Sequence, residues 1–151
     1  MKKTFWIVLI LLFLLVNEYL SKFLLAIFVG RLELLDAYER TFQYPSIDSY
    51  LFSASFRAIP FLALSIFAAK SKASSSRAGR IMIWGLAFFI ASFVFYGYWG
   101  MQHSLFTDEH TSSTSALAII WIPIWALLIS VIGCVFLFGT SKIFRLFQKQ
   151  T

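Results

Sequence analysis

The sequence predicts an all-α integral membrane protein: a four-transmembrane-helix bundle, single-domain over 1–151, with both termini on the cytoplasmic side. Three observations carry that expectation. Hydrophobic residues fill 60% of the 151 positions and charged residues only 13%, with a mean hydropathy of +0.79, a balance foreign to a soluble domain of this length. The apolar residues gather in four runs, each near the roughly 20 residues that cross a bilayer core. The charges then alternate in sign along the chain. Nine of the thirteen Lys and Arg residues fall in three short segments without an acid: Lys2 and Lys3, four within 70–80, and Lys142, Arg145 and Lys149. Segments 31–48 and 102–115 hold two basic and six acidic residues, so the positive-inside bias predicts an N-in/C-in topology. The net charge of +6 therefore reads as topology and not as a nucleic-acid surface.

In chain order, Met1 to Val16 has the basic start and apolar core of a secretory signal. No small-x-small cleavage pair follows, and the apolar run resumes at Phe23, so an uncleaved first span over about 5–29 is expected. The polar stretch Asn17 to Lys22 lies inside it. Over 31–44, acids alternate with Leu35, Tyr38 and Phe42 at helical spacing, which predicts a short amphipathic helix at the interface, ended by Pro45. The second span is expected over about 47–69, with Ser46 as N-cap and Asp48 in the favourable field of the first turn. It carries Arg57 and Pro60. The basic, Ser-rich 70–80 segment suits a cytoplasmic turn. A third span over about 81–101 ends in aromatics at 95–99, as in an interfacial belt, and a fourth over about 116–139 has Trp121 and Trp125 near its start. Segment 141–149 sets Ile143, Phe144 and Phe147 against Lys142, Arg145 and Lys149, as in a basic amphipathic helix resting on an anionic leaflet.

Charges inside a span are costly, so Glu18 and Arg57 are the residues to explain. A helical rise of 1.5 Å per residue puts Glu18 about 22 Å above Lys3 and Arg57 about 20 Å above Lys70, with Lys22 near about 28 Å. The same ruler sets Ser92 and Ser130 at about 18 Å, Tyr96 at about 24 Å and Trp125 at about 25 Å. A candidate intramembrane polar cluster is thus Glu18, Lys22, Arg57, Ser92 and Ser130. Three readings of Glu18 stand open: a local i,i+4 pair with Lys22, an ion pair with Arg57 that fixes how the first two spans meet, or a functional polar site. A candidate outer-face partner surface comprises Tyr96, Trp99, Asp108, Glu109, Trp121 and Trp125, with Tyr98 among the same belt aromatics. Stripes of small residues, Ala126, Ser130 and Cys134 on the fourth span and Ala87 and Ala91 on the third, permit close helix contact.

Catalytic chemistry has little support. There is no Gly-rich phosphate loop, no Gly-x-Ser-x-Gly elbow and no His-Glu-x-x-His helix. No histidine falls within a span to hold haem, and the lone Cys134 supplies neither a disulfide framework nor a cysteine metal site. His103 and His110 around Asp108 and Glu109 read as a solvated loop with capping acids, not as a metal centre. No enzyme activity and no cofactor are expected. The expected partners are the bilayer, anionic lipid headgroups at the 70–80 loop and the C-terminal tail, and a membrane-protein partner or further copies of the chain. These features favour a small bacterial inner-membrane protein that works by protein–protein interaction, as an accessory subunit or an immunity-type protein. The rival is a small transporter or channel subunit with a polar path at Glu18 and Arg57.

Overall fold

The computed structural model describes the backbone of residues 1–43, 46–107 and 113–148, and the side chains of these apart from 105–106, 113–116 and 141–148. Among the described residues the fold is entirely helical: α1 (Lys3–Leu15), α2 (Glu18–Phe28), α3 (Leu34–Phe42), α4 (Ile47–Lys70), α5 (Arg77–Thr107) and α6 (Ser113–Gln148), with a 3₁₀ turn at Lys72–Ser75. Three stretches are long and apolar enough to cross a membrane, Ile47–Lys70, Arg77–Ser104 and Leu117–Thr140; the α1/α2 pair becomes a fourth if it serves as one span.

The first apolar run is not one straight helix, which corrects the expectation over 5–29. α1 and α2 meet at a 62° bend. Asn17 makes it. Its backbone is extended, its side-chain oxygen accepts the Leu20 amide hydrogen at 2.8 Å, and its side-chain nitrogen donates to the Leu14 carbonyl at 2.9 Å. One side chain thereby satisfies both a carbonyl at the end of α1 and an amide at the start of α2, groups that a helix break would otherwise orphan. Asn17→Ala loses both bonds and should cost about 1–2 kcal/mol, seen as a lower Tm of the detergent-purified protein. Asn17→Asp, which keeps only the acceptor, should recover part of the loss. An unchanged Tm for the alanine variant would mean that something other than this cap holds the bend.

Beyond α2 the chain turns widely: the amides of Gly30 and Leu32 return to the carbonyls of Leu25 and Ala26, with Arg31 between them in the left-handed region at φ 51°. α3 then lies along α2, burying Ala37 and Thr41 and leaving Leu34, Leu35, Tyr38 and Phe42 exposed. It is shorter than the 31–44 expected, because 31–33 are used by the turn.

α4 opens on Ser46, whose hydroxyl accepts the Ser49 amide hydrogen at 3.2 Å. Pro60 does not break it. The Pro60 carbonyl accepts a bond from the Ser130 hydroxyl of α6 at 3.3 Å, which braces α4 where the proline removes a backbone donor. α5 begins at Arg77 and not at 81, because Ser76 accepts the Gly79 amide hydrogen at 3.0 Å and caps it. Only glycine fits at 79, since a Cβ there would collide with the Ala73 carbonyl group of the 3₁₀ turn. At the other end of the chain, the separate helix expected over 141–149 is instead the continuation of α6, a single helix of 36 residues. Gly139 alone costs a helix only about 1 kcal/mol, and no proline follows to stop it.

α5 is the central helix, in contact with α1, α2, α4 and α6, while α6 also lies against α4 and α1 touches both α4 and α5. α5 and α6 run antiparallel with small residues opposed to large ones: Gly97 faces Ile122, and Gly133 faces Leu86. α4 and α6 run parallel. Phe5, Leu9, Phe61, Leu64, Ile83, Ile90, Val94 and Leu137 fill the core. The Phe5 ring meets Trp84 edge-on at 5.1 Å, so the start of α1 lies at the same end of the bundle as the 70–80 turn.

The outside is as apolar as the inside. Within an 18-residue apolar window of each candidate span only 39%, 33% and 17% is buried, so Phe88, Phe89, Ile132, Val135, Phe136 and many like them are left uncovered. Soluble monomers rarely expose continuous apolar surface on this scale. The fold is compatible with a multi-pass membrane protein.

Candidate functional site

The site begins with the Asn17 break, which makes Glu18 the first residue of α2 and aims it at α4. Its Oε2 accepts hydrogen bonds from Arg57 Nη1 at 3.0 Å and from the Ser53 hydroxyl at 2.8 Å. Ser53 and Arg57 stand one turn apart on α4, so both donors share a face. Arg57 is fully buried, and Glu18 retains 9% side-chain exposure. From α5, the buried Tyr98 sets its hydroxyl against Ser53 and Arg57. The ring of Phe13 on α1 lies 5.2 Å from the guanidinium carbon and that of Tyr50 on α4 lies 5.6 Å from it. Four helices thus converge on one ion pair.

The energetics favour a locating role over a stabilising one. Burying two charges costs several kcal/mol per ion, and attraction repays this only with well-satisfied geometry. Here Arg57 makes a single contact to one carboxylate oxygen. Its Nε and Nη2, like the Tyr98 hydroxyl, have no hydrogen-bond partner. The flanking rings return about 0.5–2 kcal/mol through their negative faces. Glu18 also gains from the positive field at the start of α2. The net sum is small, but each charge now has one low-energy position, and that position fixes where α1 and α2 sit against α4.

Lys22 takes no part. Its ammonium donates to the Thr41 carbonyl at 3.4 Å, among the last carbonyls of α3, where a cation is favoured. Beyond the 62° bend each α2 residue gains only about half of the 1.5 Å rise along α1, so the depth ruler overstated Lys22. Ser92, expected in the cluster, is exposed on α5, and Ser130 is buried but bonded to Pro60, away from the ion pair. Tyr98, expected in the outer belt, is the α5 residue that reaches the pair instead. It escaped the ruler because that ruler measures backbone height, while a tyrosine and an arginine meet at the ends of long side chains.

Of the outer-face residues, Tyr96 is 77% exposed, Trp121 55% and Trp125 57%. Trp99 is half-buried beside Phe95, their rings 6.0 Å apart. The Gly97–Ile122 contact brings Tyr96 and Trp121 to one level of the bundle. Asp108 and Glu109, like His110, lie outside the described residues. Sequence reasoning missed Ser53, Phe13 and Tyr50; only Ser53 left a signal, four residues before Arg57.

Comparison of the chain with family models, with curated proteins and with solved structures gives no match.

Proposed function

We propose that the chain is a small multi-pass protein of the bacterial inner membrane that acts by association with another membrane protein, as an accessory subunit or an immunity-type protein. The observation that carries this is the contrast between a sealed charge site and an open aromatic face. Arg57 is covered by rings and closed onto Glu18, while Tyr96, Trp121 and Trp125 stand free. Of the neighbours a polar path would use, Ser92 and Tyr96 are exposed on α5 and Ser130 is buried but bonded to the Pro60 carbonyl, which leaves Ser53 and Tyr98 beside the pair. This short polar set, closed over by rings, supports association over transport.

The bent pair suits a broken first span: α1 contributes about 20 Å along its axis and α2 about 8 Å more, together close to a core of about 30 Å. The N-in/C-in topology is supported by Lys2, Lys3 and the basic 70–80 turn, which share one end of the bundle.

A photo-crosslinking residue at position 121 or 125 of the tagged full chain tests the reading. In mild detergent, both positions should yield the same second membrane protein in stoichiometric amount, whereas the exposed control position 66 on α4 should not. Crosslinks at 121 and 125 only to further copies of the chain, or to nothing, would defeat it.

A further inference from the structure

Between α4 and α6, at the end of the bundle that carries the basic turn, an apolar groove of about 760 Å³ opens. Ala63, Ile66 and Phe67 form one wall, Val131, Val135 and Phe138 the other, and Lys70, Ser71 and Lys72 close its end. We infer that this groove holds one anionic phospholipid, with an acyl chain between the two helices and the phosphate on Lys70. The inference rests on the membrane reading above and deepens it to a single site.

Three features select this occupant. Counting Lys70, the walls run over 63–70 and 131–138, eight residues of each helix and about 10 Å along the axis, which is the part of an acyl chain nearest its headgroup. The two helices are parallel, so both walls deepen in the same direction from the basic end. Among the described residues no acid lines the groove, and both lysines at its end are exposed. The C-terminal end of α4 repels an anion weakly, so the attraction comes from the lysine charge. A zwitterionic lipid would fit the walls equally, but its ammonium charge offsets that of its phosphate, so it gains less from Lys70.

Native mass spectrometry of the detergent-purified full chain, with palmitoyl-oleoyl phosphatidylglycerol or the matching phosphatidylcholine added, tests this. The wild type should retain one phosphatidylglycerol in preference to phosphatidylcholine. Lys70→Gln should lower that preference about five-fold, the effect of one basic residue near an anionic headgroup. Val135→Trp, or Ile66→Trp from the opposite wall should the first fail to fold, should remove the bound lipid of either kind at an unchanged Tm. Equal retention of the two lipids, or lipid retained by a folded tryptophan variant, overturns the inference. So does a dimer of the chain that the tryptophan dissolves, since a second copy would then occupy the groove. A chain recovered from cells without detergent defeats the membrane reading itself, whereas one that needs detergent but shows no lipid preference defeats the groove alone.

Discussion

Arg57→Gln should cost about 3–5 kcal/mol of stability, because it strands Glu18 in a buried site without its counter-charge. Glu18→Gln should cost a similar amount by stranding Arg57. The double variant replaces two charges with two amides, which Ser53 and Tyr98 are placed to meet, so its loss should fall short of the summed single losses by about 2 kcal/mol. Equilibrium unfolding in mixed detergent micelles measures all three. Single losses that add within about 0.5 kcal/mol would show that the pair has no energetic coupling. Arg57→Lys should not restore the wild type, because an ammonium lacks the flat face that Phe13 and Tyr50 cover. Ser53→Ala, which removes one bond but no charge, should cost only about 1 kcal/mol.

The second large effect is expected at the α5–α6 seam. A Cβ at Gly133 would come within 2.7 Å of the Leu86 side chain, and one at Gly97 within 2.8 Å of Ile122. Gly133→Leu must therefore push the helices apart or force Leu86 from its rotamer, at about 1–3 kcal/mol. Because the obstruction is the far end of a side chain, Leu86→Ala should restore much of the loss in the double variant. Gly139 provides the control: a Cβ there meets nothing within 4 Å, so Gly139→Ala should be neutral or gain up to about 1 kcal/mol of helix propensity. A Gly133→Leu protein that unfolds with the Gly139→Ala protein would mean that the seam tolerates wider spacing than its opposed small and large residues imply.

These seams also mark where sequence legibility ended. The apolar runs, the Ser46 cap and the alternation of charge could be read directly, since each depends on local chemistry. The depth ruler set Glu18 and Arg57 level because α4 joins Arg57 to Lys70 without interruption, and the break at Asn17 comes only one residue before Glu18. Which way a residue faces could not be read. In a soluble helix the polar residues mark the outside, but here both sides are apolar, so nothing in the pattern separates the buried Tyr98 from the exposed Tyr96. Asn17 could be seen as polar but not as a helix break, for a related reason. Within so apolar a run its single side chain changes the average little, yet it satisfies both ends of a break. The extension of α6 through 148 went unread because the change from apolar to basic residues resembles a boundary, although the backbone needs none.

The Asn17 break has a consequence for the order of assembly. It divides the first apolar run into helices of 13 and 11 residues, each short of the roughly 20 needed to cross a bilayer alone. Glu18 leaves the ribosome 39 residues before Arg57, about 2–8 s earlier at ordinary rates of synthesis. Over that interval the acid lacks Arg57, and in the proposed bilayer setting the bent α1/α2 pair would not settle at its final depth. There it would wait at the water boundary or beside the insertion machinery until α4 delivers Arg57. In that setting the contact that locates α1 and α2 in the finished fold would also time their entry, with α1, α2 and α4 committing together and not one by one.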